Sequence, residues 1–341
     1  MNTKENLYKK IKEICISQLC EANTQKSPYK ARYAQSDPDD EKSYKIQIEK
    51  SKARAHIEAL IKPDKYEDYN DIFRRLLISG QNRNRMPKVI KFMEREGQFK
   101  KILCGTKAKK FNHEKILKSF YNEAENKEQA ASLLLKQFKE KFEIKEDTIT
   151  ETSDMSKKHR SLWYQYALFV IDAALFMKNI CENKNIKTDN ILAEFKSRLN
   201  YLIYPNGNHK LSDEVDLAHP AYIAKNISGI GFTLACDFLK EIGYPIAKPD
   251  LHIFAFLRNN CKKSFESKKK KIKDTLPKKI PLEEAAAIKV MESIAKKHNC
   301  DVYALDKLIW LGCSGNYYEK NKFEGIIVTP KSQQSLFLAT L

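Results

Sequence analysis

Apolar residues recur at intervals of three and four along most of the chain, which is the pattern of amphipathic helices. The clearest case is residues 66–80, where Tyr69, Ile72, Phe73, Leu76 and Leu77 share one face. A helix is expected to start near Pro87, because proline suits the first helical turn. The same spacing predicts helices over 112–124, 127–142, 161–183 and 188–200. No alternating strand pattern persists beyond a few residues, so the expected fold class is all-α.

Polar stretches separate the predicted helices. The segments 23–44 and 144–158 and the turn at 204–210 are predicted to be surface connections. The lysine-rich stretch from Lys262 to Lys279 is expected to be a solvated loop, with a phosphate-contacting loop as the alternative. Hydrophobic residues make up 42% of the chain, and there are only 10 Gly and 11 Pro, which is typical of a globular, mostly helical protein.

The charge balance narrows the range of partners. Lys and Arg number 62 against 44 Asp and Glu, which leaves a net charge of +18. Such a protein is expected to bind polyanions, most commonly nucleic acid, with an affinity that falls steeply with salt. Association with ribosomes or membrane surfaces, or merely a lysine-rich surface, would give the same excess.

Targeting, membrane and metal signals are not apparent. The first twenty residues lack the apolar stretch of a signal peptide, and no apolar run reaches the roughly 18 residues of a membrane span. We therefore expect a cytoplasmic protein that associates with the nucleoid through DNA. The eight cysteines form no C-x-x-C pair, so no metal and no cofactor are expected, and Cys236 is expected to be a buried thiol.

Residues 222–254 carry the most informative pattern. A predicted helix ends near Asn226 and is followed by Ile227-Ser228-Gly229-Ile230-Gly231, and a second amphipathic helix follows until Gly243. Its polar positions, Asp237, Lys240 and Glu241, are expected to face away from the core. Two glycines at a helix start leave backbone N–H groups able to bind a phosphate. An ordinary pair of helices with a glycine turn is the structural alternative.

The sequence Lys248-Pro249-Asp250-Leu251-His252 places Asp250 nineteen residues after Gly231. Together with Ile-Ser-Gly-Ile-Gly, it resembles the helix-hairpin-helix superfamily of DNA glycosylases, related to those acting on 8-oxoguanine and alkylated bases. That family pairs a Leu-Pro-Gly-Val-Gly hairpin with a downstream aspartate. The resemblance implies base excision repair: a hydrolase that flips a damaged or modified base from double-stranded DNA and cuts its N-glycosidic bond. Asp250 would be the catalytic carboxylate, a role compatible with capping the next helix.

The resemblance also implies DNA contacts. At the hairpin these are Ser228, Gly229, Gly231 and Thr233, with Lys248 as a phosphate contact. The resemblance also leaves open a monovalent cation on the hairpin backbone, although no cofactor is expected. Upstream, Leu76-Leu77-Ile78-Ser79-Gly80-Gln81 resembles the family's I-L-S-x-Q helix end. There, Gln81, Asn82 and Arg83 would fill the gap left by the flipped base. A polar helix terminus explains these three residues equally well.

This chain differs from the family pattern in two ways that affect the expected chemistry. Bifunctional relatives carry a lysine where this chain has Thr233, so a monofunctional enzyme using water is expected, with Lys248 keeping an AP-lyase activity open. Only Cys300 and Cys313 lie where one branch holds an iron–sulfur cluster, so that cluster is not expected.

Several residues have both a pocket and a core interpretation. Trp163, Tyr166, His252 and Trp310 are candidates for a base pocket, although aromatic residues at helical spacing usually form core. Asp172 and Asp306 interrupt apolar helix patterns, where each would either line the pocket or form a buried hydrogen bond.

The expected organisation is a monomer with two helical subdomains flanking a cleft that carries the helix-hairpin-helix motif. It divides into a basic N-terminal extension (1–65), a helical glycosylase domain (66–215), the hairpin and Asp250 segment (216–260) and C-terminal helices (261–341). A non-catalytic helix-hairpin-helix DNA-binding protein is the main alternative, and a different chemistry on the same fold is another. The base removed stays open, including modified bases of foreign DNA.

Overall fold

The computed structural model describes most of the 341-residue chain. The described residues are 6–20, 23–24, 44–45, 49–83, 86–122, 124–144, 161–182, 190–206, 216–318 and 325–327. The predicted connections at 23–44 and 144–158 lie almost wholly outside them, as does the end of the turn at 204–210.

The fold is all-α, as the apolar spacing predicts. Within the described residues, the helices of the N-terminal half are α1 (Leu7–Cys20), α2 (Lys50–Leu60), α3 (Tyr69–Gln81), α4 (Met86–Ile90), α5 (Glu96–Cys104), α6 (His113–Ile116, continued by a π-helical turn, Leu117–Tyr121) and α7 (Lys127–Phe142). They are followed by α8 (Leu162–Glu182), α9 (Ile191–Ile203), α10 (Ala218–Asn226), α11 (Phe232–Glu241), α12 (Leu251–Asn260), α13 (Lys262–Ile272), α14 (Leu282–Lys297) and α15 (Val302–Ser314).

A small antiparallel sheet accompanies the helices. Its strands are β1 (Asn23–Thr24), β2 (Tyr44–Lys45), β3 (Asn316–Tyr318) and β4 (Gly325–Ile327), in the order β2-β1-β4-β3. Asn23 pairs with both Lys45 and Ile327, so the sheet joins residues from both ends of the sequence. Strands of two or three residues give no readable alternation, which is why the sequence pattern does not reveal them.

The chain divides into two compact units, with residues 1–64 and 243–341 in unit 1 and residues 65–242 in unit 2. In unit 1, α1 and α2 share one apolar core with α12, α14 and α15. The Cys15 thiol, for example, donates to the Leu308 carbonyl at 3.4 Å. The N-terminal helices are therefore part of a core rather than a separate extension, because they pack against each other and against the C-terminal helices.

Unit 2 is built around α8, which is apolar on nearly all sides and is buried accordingly. Helices α3, α4, α6, α7 and α9 pack around it. None of the helices in the described part of the chain combines the length and apolar character needed to cross a bilayer.

The lysine-rich stretch beginning at Lys262 is helical, so the prediction of a loop there is wrong. Lysine has a high helix propensity, and Phe265 is buried and anchors α13 to the core of unit 1. Only the part after Ile272 lacks helical structure.

Close packing of α3 on α8 depends on Gly80. A Cβ atom added at Gly80 would lie 2.1 Å from ring carbons of Phe169, a residue that is itself almost fully buried. The absence of a side chain at this position therefore allows the two helices to approach.

We expect Gly80→Ala to lower the free energy of unfolding of unit 2 by about 1–3 kcal/mol, because the core has no room for the added methyl group. The matched control is Gly97→Ala in α5, where a Cβ would have no atom within 4 Å. Equilibrium urea unfolding compares the two variants. Equal stability of both would contradict the tight packing at Gly80.

Candidate functional site

The glycine turn, residues 227–231, joins α10 to α11 in unit 2. Ile227 and Ile230 are buried and anchor the turn, whereas Gly229 and Gly231 are exposed. The two helices and the turn between them thus match the local structure predicted for this segment.

Glycine occupies positions 229 and 231 for different physical reasons. Gly229 has a φ of +82°, in the left-handed region that favours glycine. Gly231 has an ordinary φ of −83° with ψ of 174°, and a Cβ placed on it would meet nothing within 4 Å. No contact within the described residues therefore requires glycine at position 231, whereas a ligand approaching the backbone closely would require it.

The N-terminus of α11 opens directly on this turn. Gly231 occupies the N-cap position, so no side chain caps the helix, and the first intrahelical bond runs from the Ala235 amide to the Gly231 carbonyl. The positive end of the helix dipole and the amides of the first turn favour an anion here. Thr233 lies in this first turn and is partly buried.

Asp172 of α8 holds the glycine turn from inside. Its Oδ2 accepts from the Ser228 amide at 2.8 Å, and the Lys127 ammonium lies 3.5 Å from the same oxygen. Asp172 is almost fully buried. Of the two roles that the sequence left open for it, the structure displays the buried hydrogen bond.

The polar face of α11 is buried, contrary to the expectation from its amphipathic pattern. Asp237 is only 3% exposed, and Lys240 and Glu241 are similarly buried. The Lys240 ammonium lies 3.5 Å from Glu241 Oε1, so these two charges are paired. The pattern misleads because it treats every polar position as solvated, whereas here Asp237 is buried against polar groups in and just after α3.

Asp237 is the acceptor that joins α11 to α3. Its Oδ2 receives hydrogen bonds from Arg75 Nη2 at 3.2 Å, Ser79 Oγ at 3.1 Å and Asn82 Nδ2 at 3.2 Å. A buried carboxylate is stable only with such partners. Sequence reasoning missed this role, and no local signal distinguishes Asp237 from a solvated helix residue.

The three residues at the end of α3 have different environments. Gln81 is 1% exposed, and its Oε1 accepts from the Phe92 amide at 2.8 Å, so its prediction as a gap-filling side chain is corrected to a structural role. Asn82 is held by Asp237. Arg83 is exposed, and its Nη1 lies 3.5 Å from the point that a Cβ on Gly229 would occupy. The structure therefore brings Arg83 and the glycine turn together.

Two of the aromatic pocket candidates lie in the core of unit 2. Trp163 packs its ring near those of Phe99, Phe138 and Phe142, and Tyr166 is fully buried with its hydroxyl donating to the Leu77 carbonyl. Burial raises the pKa of Tyr166 well above its ordinary value. The core interpretation therefore replaces the pocket interpretation for both residues.

Asp250 belongs to unit 1 and caps α12. Its Oδ1 accepts from the His252 amide at 3.0 Å and the Ile253 amide at 3.3 Å. Its side chain is 19% exposed, and its Oδ2 lies 3.9 Å from the Lys248 ammonium. One carboxylate oxygen is thus occupied by the cap, while the other faces a cation.

Asp306 fixes the segment that leads to Asp250. Its buried Oδ2 accepts from the Lys248 amide at 2.7 Å, and the Asp250 amide in turn donates to the Lys248 carbonyl at 2.8 Å.

Burial raises the pKa of the Cys313 thiol to about 12, and the charge of Asp250 adds to this rise. The thiol therefore stays protonated at neutral pH.

The other two aromatic candidates lie beside each other in unit 1. The rings of His252 and Trp310 are 6.3 Å apart in an edge-on arrangement of 86°, and both residues are partly buried. The structure thus groups Lys248, Asp250, His252 and Trp310 in one unit.

Metal-ligand geometry is not found in the described part of the chain, where no group of three or more His, Cys, Asp or Glu side chains could hold an ion. All eight cysteines are free thiols. No family model matches the chain, and neither a curated protein nor a solved structure is significantly similar to it.

We expect Gly229→Ala to destabilise unit 2 by about 1–2 kcal/mol, because an alanine there would be forced into the left-handed region. Gly231→Ser is the matched control and should change stability by less than about 0.5 kcal/mol, because serine suits both this backbone conformation and the N-cap position. Denaturant unfolding of both variants makes the comparison. Equal losses would mean that the conformations of the two glycines do not differ as described.

Proposed function

We propose that this chain is a monomeric DNA glycosylase that binds double-stranded DNA, accommodates a flipped, modified base and hydrolyses the N-glycosidic bond. The observation that carries the proposal is the state of Asp250, a carboxylate fixed by a helix cap and an adjoining cation while part of it stays exposed. The resemblance of residues 222–254 to the helix-hairpin-helix glycosylases supports it. The two subdomains and the cleft expected from that resemblance are part of the same proposal.

DNA would contact the glycine turn through its backbone. The uncapped start of α11 favours a phosphate, and the Arg83 guanidinium beside Gly229 adds a positive charge at the same surface. Contacts of this kind position a duplex without reading its sequence. The net charge of +18 favours the same partner.

The chemistry follows from what a fixed carboxylate can do. When the bond between base and sugar breaks, its electron pair leaves with the base and positive charge develops on the sugar. Asp250 would stabilise that charge and accept the proton of the water that adds to the sugar. Because the cap holds Oδ1, the carboxylate does not need to reorganise during the reaction.

Lys248 favours a second candidate activity. Its ammonium lies 3.9 Å from Asp250, which puts an amine within the same group of side chains. An amine there could attack the sugar and cleave the strand, as in glycosylases with AP-lyase activity. Thr233 at the position of the bifunctional lysine supports the water mechanism instead.

We expect Asp250→Asn to lower base release by about 100-fold or more while duplex binding persists, because the amide keeps the cap and loses the charge. The matched control is Asp301→Asn, since Asp301 caps α15 with the same pair of amide bonds. The assay incubates duplexes carrying oxidised, alkylated or enzymatically modified bases and detects abasic sites after alkali.

Full activity of the Asp250→Asn protein would mean that Asp250 is only a helix cap. Duplex binding without release from any substrate would favour the non-catalytic DNA-binding protein. Strand cleavage without alkali that disappears in Lys248→Gln would establish the lyase activity.

We also expect Gly231→Ala to weaken binding to an unmodified duplex at least several-fold. The added methyl group has free space in the protein alone, so a loss of affinity reports a ligand that approaches this backbone. Fluorescence anisotropy measures the change, with Gly97→Ala as the control. Unchanged affinity would remove the glycine turn from the DNA surface.

A further inference from the structure

An unusual concentration of unpaired positive charge lies on and just after α13. Residues 262–279 contain nine lysines and two acidic residues. Seven of the lysines are exposed, and the described residues offer their side chains no ion pair or hydrogen bond. These seven form the lysine patch: Lys262, Lys263, Lys270, Lys271, Lys273, Lys278 and Lys279.

Lys269, in the same helix, has the ion pairs with carboxylates that the lysines of the patch lack. Its ammonium lies 2.9 Å from Glu283 Oε1 and 3.9 Å from Glu266 Oε2. Its hydrogen bond to Glu283 raises its pKa. Glu283 and Glu266 are thus paired with Lys269, whereas no lysine of the patch has an ion pair among the described residues.

Helix geometry concentrates the patch on the solvent side. Phe265 is buried and fixes which face of α13 points inward. Lys263 and Lys270 lie two turns apart on the opposite side, at about 10 Å. Like charges three residues apart, such as Lys268 and Lys271 in α13, destabilise a helix. A bound polyanion would relieve this repulsion.

We propose that the lysine patch binds the phosphate backbone of duplex DNA a few base pairs away from the nucleotide at Asp250. This inference rests on the proposed function for the choice of duplex DNA as the partner. Asp250 caps the start of α12, which spans 10 residues and leads through Cys261 into α13. A helix of that length covers about 15 Å. At about 3.4 Å per base pair, the start of the patch at Lys262 would lie within four to five base pairs of that nucleotide.

The test measures how binding to an unmodified duplex depends on salt. The patch variant carries Lys263→Gln, Lys270→Gln, Lys271→Gln and Lys278→Gln. The control variant replaces Lys107, Lys109, Lys136 and Lys141 of unit 2 by Gln, which are also exposed and also have no side-chain partner among the described residues. Both variants lose the same net charge, so they separate a local contact from the effect of overall charge.

Each lysine that contacts a phosphate contributes about 0.9 to the slope of log K against log salt. We expect the patch variant to lose about 2 or more from this slope and the control variant less than about 1. The thermal unfolding temperature should not fall in the patch variant, because the substituted side chains make no ion pair or hydrogen bond among the described residues. An equal loss in both variants, or no loss in the patch variant, would overturn the proposal.

Further arms separate this inference from the glycosylase function. A changed slope with no base release from any duplex would keep the patch and refute the enzyme. Base release with an unchanged slope would refute DNA binding by the patch and leave the glycosylase function standing. Binding of the natural chain to duplex RNA or to anionic vesicles that matches DNA in affinity, with the same loss in the patch variant, would refute duplex DNA as the partner.

Discussion

Three buried aspartates, two in unit 2 and one in unit 1, hold the candidate functional residues of each unit in position, and the local geometry depends on them. A buried carboxylate costs several kcal/mol unless donors surround it, so each one forces nearby amides and side chains into a defined arrangement. Asp172 holds the glycine turn, and Asp237 holds the end of α3 beside Arg83. In the other unit, Asp306 holds the backbone of Lys248. In each case the buried carboxylate supports a more exposed neighbour, which is how rigid sites are built.

The same constraint explains which groups remain available to a ligand. The Asp237 carboxylate immobilises Asn82, whereas Arg83, the next residue, is exposed. Asp172 accepts a hydrogen bond from the Ser228 amide, whereas no side chain caps the amides at the start of α11. The local result is an exposed turn with a fixed backbone and an adjoining guanidinium, a combination suited to an anion.

Sequence reasoning predicted the parts whose cause is local. Helix positions follow from apolar spacing, the turn follows from Gly229, and the cap at Asp250 follows from the preference of aspartate for that position. It failed where the cause is tertiary. Asp237 looks like a solvated helix residue but is buried against Arg75, 162 residues away in sequence. Gln81 is buried at the end of α3 by Phe92 of the following segment, 11 residues later. The N-terminal helices give no sign in sequence that their partners lie some 290 residues away, as Cys15 and Leu308 do.

A comparison of Asp250 with Asp301 shows which contacts of Asp250 go beyond those of a helix cap. Both accept two amide bonds at the start of a helix in unit 1. Asp301 is exposed and has no lysine ion pair among the described residues, which is all that a cap requires. Asp250 additionally faces the Lys248 ammonium, follows a proline and is preceded by a backbone fixed by Asp306. Capping alone does not account for these additions, whereas a carboxylate that must keep its charge and its orientation beside a reacting sugar would need all of them.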